Sequence, residues 1–158
     1  MDPLGKISLL ARSGRFKEAL QALDLAKPLN KVASQVQRVE LLERLGHQDE
    51  CRALVKRLLD SKVLTESQRA SCQYVKASLL LEHGDTEAAT TNLQRAISLA
   101  RQGSDFHLLC NIQMKQLGIL ADLSGPDSIA PVLADLRLNA IRLGDPCSTS
   151  RLPFSAPR

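Results

Sequence analysis

Two pairs of side chains in this chain have spacings that could support chemistry. His47 and Cys51 stand four residues apart, and His107 and Cys110 stand three apart, so on a helix each pair shares a face. Such a pair suits two ligands of a metal ion, or a thiol beside a base that takes its proton. A structural zinc site needs four ligands, and neither pair has a third and fourth close in sequence. The structural reading is the stronger one: His47 lies at a turn, and Cys51 fills a position where a small packing residue is needed. Asp49 with Glu50, and Glu82 with Asp85, are the nearest thing to paired carboxylates. Both sets fall at helix ends, where acids favour the N-terminus, so they read as structural rather than as a general acid and base. The Walker-type phosphate loop, the dinucleotide Gly-x-Gly-x-x-Gly, the zinc His-Glu-x-x-His and the nucleophile elbow Gly-x-Ser-x-Gly do not occur. The expectation is a protein that is not an enzyme and uses no cofactor or metal.

Charge and composition narrow the partners. The 21 basic and 17 acidic residues leave a formal charge of +4, and the basic residues are dispersed along the chain. Arg12, Arg15 and Lys17, and the pair Lys56 and Arg57, therefore read as solvated faces rather than nucleic-acid patches. Three Phe, one Tyr and no Trp leave little on which bases could stack, so nucleic acid is disfavoured as a ligand. With 8 Gly and 7 Pro, the chain is too poor in turn formers for a loop-rich or all-β fold. The longest apolar stretch, at 119–123, is short and broken by Asp122, so no membrane span is expected. Met1-Asp2-Pro3 is not followed by the long apolar segment of a secretory leader. The cysteines at 51, 72, 110 and 147 form no Cys-x-x-Cys, which fits reduced thiols and a cytoplasmic location.

The elements that would position these side chains recur along the sequence. Ser13-Gly14-Arg15, Leu45-Gly46-His47, His83-Gly84-Asp85 and Ser124-Gly125-Pro126 are four turn signals, with glycines 32, 38 and 41 residues apart. A small residue follows each glycine by five positions: Ala19, Cys51, Ala89 and Ala130. Between the turns, apolar residues repeat at helical spacing. Phe16, Ala19, Leu20, Leu23 and Ala26 share a face, as do Cys51, Leu54, Val55, Leu58 and Leu59. So do Ala89, Leu93, Ala96, Ile97 and Ala100, and again Ala130, Leu133, Ala134, Leu138 and Ile141. Thr65 to Gln68 makes a capping box, Asp85 caps the helix after Gly84, and Pro126 suits a first helical position. The pattern predicts eight helices, over 3–12, 15–27, 30–45, 48–60, 66–83, 85–102, 105–124 and 126–143. Short turns make neighbouring helices antiparallel hairpins, and four thin hairpins must stack to bury their apolar faces.

These residues resemble the tetratricopeptide repeat family. Gly14, Phe16, Glu18 and Ala19 match the opening of its second helix, and Gly84, Asp85, Glu87 and Ala89, with Leu93 and Ala96, match nearly as well. Leu117-Gly118, Ala121 and Gly125 resemble its first-helix signature, while the second unit carries Gly46, Glu50 and Cys51. The family period is about 34 residues, shorter than the last two spacings here. The set is closer to the long-period repeats in regulatory regions of large bacterial signalling proteins than to cochaperone modules. The resemblance covers residues 3–143 and implies an all-α solenoid, a right-handed superhelix whose first helices line a concave face. It places on that face Val36, Glu40 and Glu43, then Ser71, Tyr74 and Ser78, then Ile112, Lys115, Ile119 and Asp122. Glu40, Tyr74 and Ser78 do not supply the Lys, Asn and Arg of a carboxylate clamp, so a C-terminal carboxylate ligand is disfavoured. Tyr74 is either the anchor for a partner or a residue packed on a neighbouring helix.

The resulting expectation is an interaction scaffold that binds a protein or peptide on its concave face. The alternative is a sensor or regulatory segment of a larger signalling or transcription protein. Residues 1–143 would form the repeat domain. From Gly144 the chain is rich in Ser and Pro and reads as loop or disorder. No polar helix follows 143 to cap the stack, which predicts either a longer array or a last helix that packs on a partner or on a second copy of the chain.

Overall fold

The computed structural model describes residues 3–26, 31–123 and 125–143; the tail expected over 144–158, with Cys147, lies outside them. Among the described residues there are eight α-helices and no strand. They are α1 (Pro3–Arg12), α2 (Phe16–Leu25), α3 (Lys31–Leu45), α4 (Gln48–Leu59), α5 (Glu66–Glu82), α6 (Thr86–Gln102), α7 (Phe106–Leu123) and α8 (Pro126–Arg142). The expected boundaries hold to within a few residues.

Local chemistry starts and stops these helices. At α5 the capping box is complete: Gln68 N–H donates to Thr65 Oγ1 at 3.2 Å, and Thr65 N–H donates to Gln68 Oε1 at 3.0 Å. At α6, Ala88 N–H donates to Asp85 Oδ1 at 3.1 Å. The α5 exit turns on Gly84, whose φ of +82° is open to glycine at little cost. There Gly84 N–H reaches Leu81 O, and Asp85 N–H reaches Leu80 O, each at 3.0 Å, which satisfies carbonyls the helix leaves free. Gly14 and Gly46 close α1 and α3 with the same pair of bonds.

The α6–α7 turn uses the device differently. Here Ser104 takes the left-handed position, with φ +52°, and Gly103 stays at φ −83°. Gly103 serves another purpose, since a Cβ at that position would lie 3.1 Å from Ser67 N. The turn therefore presses against the first turn of α5. Ser67 hydroxyl donates to Asp105 Oδ2, while Asp105 Oδ1 accepts Leu108 N–H at 3.1 Å and caps α7. The N-termini of α5 and α7 are tied together at this point.

Each helix packs on the next in the chain, and α3 also packs on α5 and α5 on α7. The core is accordingly a row of three clusters. Ile7, Ala19, Leu23 and Leu41 join α1 to α3; Val39, Leu42, Cys51, Leu54, Val55 and Leu79 join α3 to α5; Leu93, Leu109 and Ile112 join α6 to α7. The most extensive pair, α5 with α6, meets through Ala70, Ala77, Ala89, Ala96 and Ala100, all fully buried. Side chains of that size let two helix backbones approach closely. Ala19 and Cys51 are equally buried, and Cys51 Sγ lies 3.5 Å from Val39 O.

The last helix overturns an expectation. Ala130, Leu133, Ala134, Leu138 and Ile141 were the inward face by pattern, with Ala130 as the small packing residue. Instead Leu136, Asn139 and Ala140 are buried, Leu133 is half-buried, and Ala130 and Ala134 are exposed. Leu138 and Ile141 are each 57% exposed. A polar chain sets this orientation. Asn139 Nδ2 donates to Gln113 Oε1 at 2.9 Å, Gln113 Nε2 donates to Asp135 Oδ2, and Asp135 pairs with Arg101. Gln113 and Asn139 are 2% and 1% exposed, and buried amides must find partners. They find each other only if positions 135 and 139 of α8 point inward.

Candidate partner-binding groove

Three alternate helices, α3, α5 and α7, with the α6–α7 turn, line one groove of about 310 Å³. Of the residues that the family resemblance placed on a binding face, Glu40, Glu43, Ser71, Tyr74, Ser78 and Lys115 lie together here. Four others do not. Val36 is 7% exposed and packed in the α3–α5 cluster, and Ile112 is fully buried in the α5–α7 cluster. Ile119 is half-buried against that same cluster, and Asp122 is exposed but lies outside the groove lining.

Arg44, Asp105, His107 and Asn111 also line the groove, and sequence reasoning missed them. A signal for the α7 residues was present. His107, Asn111 and Lys115 follow at steps of four, a single stripe of a helix. The register 112, 115, 119, 122 meets that stripe at Lys115 and at Ile119, and only Lys115 of the two lines the groove.

Tyr74 is half-buried on the α5 wall, and Lys115 Nζ sits 6.0 Å from its ring centroid. That distance is at the outer edge of a cation–π contact, so each side chain keeps a face for a ligand. Ser78 is 5% exposed and donates its hydroxyl to Tyr74 O at 3.2 Å. It shapes the wall and has little surface to offer. Burial pushes the Tyr74 hydroxyl above its ordinary pKa; Arg44 opposes that shift and Glu43 adds to it. The phenol therefore stays neutral and able to donate a hydrogen bond at physiological pH.

The charges of the groove are mixed. Glu40 is exposed as a residue, but the surrounding helices displace water from around its carboxyl. This desolvation raises its pKa, and Asp105 and Glu43 push it the same way. A hydrogen bond from Ser71 and the charge of Arg44 counter the rise. Arg44 Nε is 3.9 Å from Glu43 Oε2, a loose contact that leaves the Arg44 side chain 65% exposed. The groove thus presents acids on the α3 side and at the turn, bases at Arg44 and Lys115, and one aromatic ring on the wall between α3 and α7.

The two His–Cys pairs lie in different surroundings. His47 is exposed at its turn, 3.7 Å from Glu50, whereas Cys51 is fully buried. Burial pushes the Cys51 thiol up to about 12 and the Cys72 thiol up to about 11, so both stay protonated near neutral pH. His107 faces Asn111 at the groove edge, and Cys110 is half-buried with its thiol also raised by burial. Among the described residues no cluster of three or more His, Cys, Asp or Glu is arranged to hold a metal. No helix among them is long and apolar enough to cross a membrane. Comparison with family models, curated proteins and solved structures finds no significant match to this chain.

Proposed function

We propose that the chain is a tetratricopeptide-like α-solenoid, built of four antiparallel hairpins. On this reading it acts without catalysis, as a scaffold that grips a partner protein or peptide in the groove of α3, α5 and α7. One observation carries the reading: three helices that are not neighbours in sequence contribute to a single groove, and its wall holds the chain's one tyrosine beside a lysine. A stack of hairpins produces that alternation, because each first helix lies beside the next first helix. The packing of α3 on α5 and of α5 on α7 supports it. A half-buried aromatic with a hydroxyl to donate is the kind of residue that dominates binding energy at interfaces.

The test is affinity capture from a native extract with wild type, Tyr74→Ala and Lys115→Glu. Partners that are retained by wild type and lost from both variants support the assignment. Identical sets from all three proteins would remove the groove from consideration.

A second reading, a regulatory segment that docks on further protein, draws on α8. Its outer side carries Ala130, Ala134, Leu138 and Ile141, and Met114 of α7 is 59% exposed. That apolar strip suits contact with a second copy of the chain or with further helices.

A further inference from the structure

A second groove, of about 400 Å³, opens between α4 and α5 and shares no residue with the first. Its floor is aliphatic: Val55 and Leu59 from α4, Leu79 and Leu80 from α5. Val55 and Leu79 are 2% and 4% exposed and form its recessed base, and Leu59 and Leu80 are half-buried beside them. Both α4 and α6 pack on α5, yet α4 and α6 make no extended contact with each other, which leaves the groove unroofed.

The rim is basic. Arg52 and Lys56 stand on the α4 side, Lys76 and His83 on the α5 side, and Asp60 is the lone carboxylate of the lining. Arg52 is occupied, with His83 Nε2 at 2.8 Å and Asp49 at 3.5 Å. Lys56 and Lys76 are exposed, and among the described residues neither has an acidic partner within 4.0 Å. Arg57, next to Lys56 in sequence, faces a different recess beside Arg38 and Glu50. The Lys56–Arg57 dipeptide is therefore not one patch; the geometric partner of Lys56 is Lys76, across an apolar floor.

We propose that this groove docks an acidic, amphipathic peptide segment of a partner protein, apolar side chains on the Val55–Leu80 floor and carboxylates against Lys56 and Lys76. Charge complementarity selects the occupant. Two unpaired ammonium groups flank aliphatic surface, an arrangement that rewards a ligand carrying both acid and hydrocarbon. Nucleic acid would meet the lysines but has no use for an aliphatic floor, and no Phe, Tyr or Trp lines the groove to stack its bases; the one ring there, His83, is taken up by Arg52. A bilayer needs apolar groups that project, and these are recessed.

The test uses the full chain and a fluorescein-labelled 14-residue peptide with Leu at helical i, i+3, i+4 and i+7 positions and Asp or Glu elsewhere, read by anisotropy. Binding is expected to weaken with salt and to fall about tenfold or more in Lys56→Glu/Lys76→Glu. It should be kept by Tyr74→Ala, which alters only the first groove, so the failure of one site is distinguishable from failure of the other. Lys56→Gln/Lys76→Gln should fall between, and both double variants should keep the helical circular dichroism of wild type because the lysines are exposed. No binding, binding indifferent to the lysines, equal binding of a peptide with Lys in place of the acids, or loss in Tyr74→Ala would overturn the proposal. So would lysine-dependent binding of single-stranded RNA or of phosphatidylserine vesicles in place of the peptide.

Discussion

Lys115 Nζ stands 6.0 Å from the centroid of the Tyr74 ring, bridging α7 to α5 across the groove. The residues are 41 apart in sequence, and the pairing exists because α5 and α7 pack on each other with α6 between them in the chain. At that range the contact is worth about 0.5 kcal/mol in a solvent-reachable setting. A double-mutant cycle with Tyr74→Leu and Lys115→Met should return a coupling of about that size. Tyr74→Phe should keep most of it, since the ring face survives. A coupling indistinguishable from zero would mean that the lysine is placed by its own helix alone.

Glu40 carries the clearest pH dependence of the groove. Its pKa is raised, first by desolvation, so the folded protein holds this proton more tightly than the unfolded chain does. Where the folded state binds more protons, stability falls as pH rises. The loss begins near the ordinary carboxylate value of about 4.3 and is complete above the raised one. Glu40→Gln keeps a group that Ser71 can bond and removes the charge. It should melt at a higher temperature than wild type at pH 7, with the advantage shrinking to nothing as the pH falls below the ordinary carboxylate range. A gain of the same size at both ends of the titration would trace the effect to packing and not to ionisation.

The α6–α7 turn permits a test with opposite signs at adjacent positions. Ser104 occupies left-handed backbone at φ +52°, where a Cβ is strained. Ser104→Gly should therefore stabilise the fold by about 0.5–1 kcal/mol. Gly103 has φ −83°, which alanine adopts freely, and on backbone entropy alone Gly103→Ala should also help. The added methyl would meet Ser67 N at 3.1 Å, and that atom is backbone in a helix whose first turn is pinned by the bond from Ser67 to Asp105. The neighbour has little room to give, so Gly103→Ala should cost about 1 kcal/mol. Denaturant melts of the two variants decide this, and stabilisation by both would show that α5 yields.

How far the sequence could be read depended on which physical rule set each feature. The α5 capping box, the Asp85 cap and the left-handed turns at Gly14, Gly46 and Gly84 involve residues a few positions apart, and all were legible. The buried faces of α2, α4 and α6 followed from apolar spacing; the one polar side chain buried among them, Asn92, donates within its own helix to Ala88 O and does not turn the face. In α8 the rule failed, since a partner 22 to 26 residues away in sequence decides which face turns inward. The groove was half legible for the same reason. Glu40, Tyr74 and Lys115 came from the family register, but Asp105 enters through a tertiary bond to Ser67 and Arg44 through its place at the end of α3. The wide spacing of the last glycines also disguised Ser104, a left-handed turn without a glycine at the left-handed position.

The inverted pattern of α8 predicts that its apolar and polar residues will answer substitution against their type. Leu136, 2% exposed, should behave as a core leucine, so Leu136→Ala should cost about 2–5 kcal/mol. Asn139→Ala removes the donor that satisfies Gln113 and leaves a buried amide short of a partner, a loss of about 1–3 kcal/mol that a surface asparagine would not show. Leu138 and Ile141 look like core positions in the sequence, yet Leu138→Gln/Ile141→Gln should change the stability of the isolated chain by no more than about 0.5 kcal/mol per site. Their effect should appear instead in association. If the outer strip of α8 joins copies of the chain, light scattering over a dilution series will show wild type dissociating and the double variant already monomeric. Should the double variant unfold while Asn139→Ala melts like wild type, α8 would have to be rotated by about half a turn, and the apolar strip would belong to the core after all.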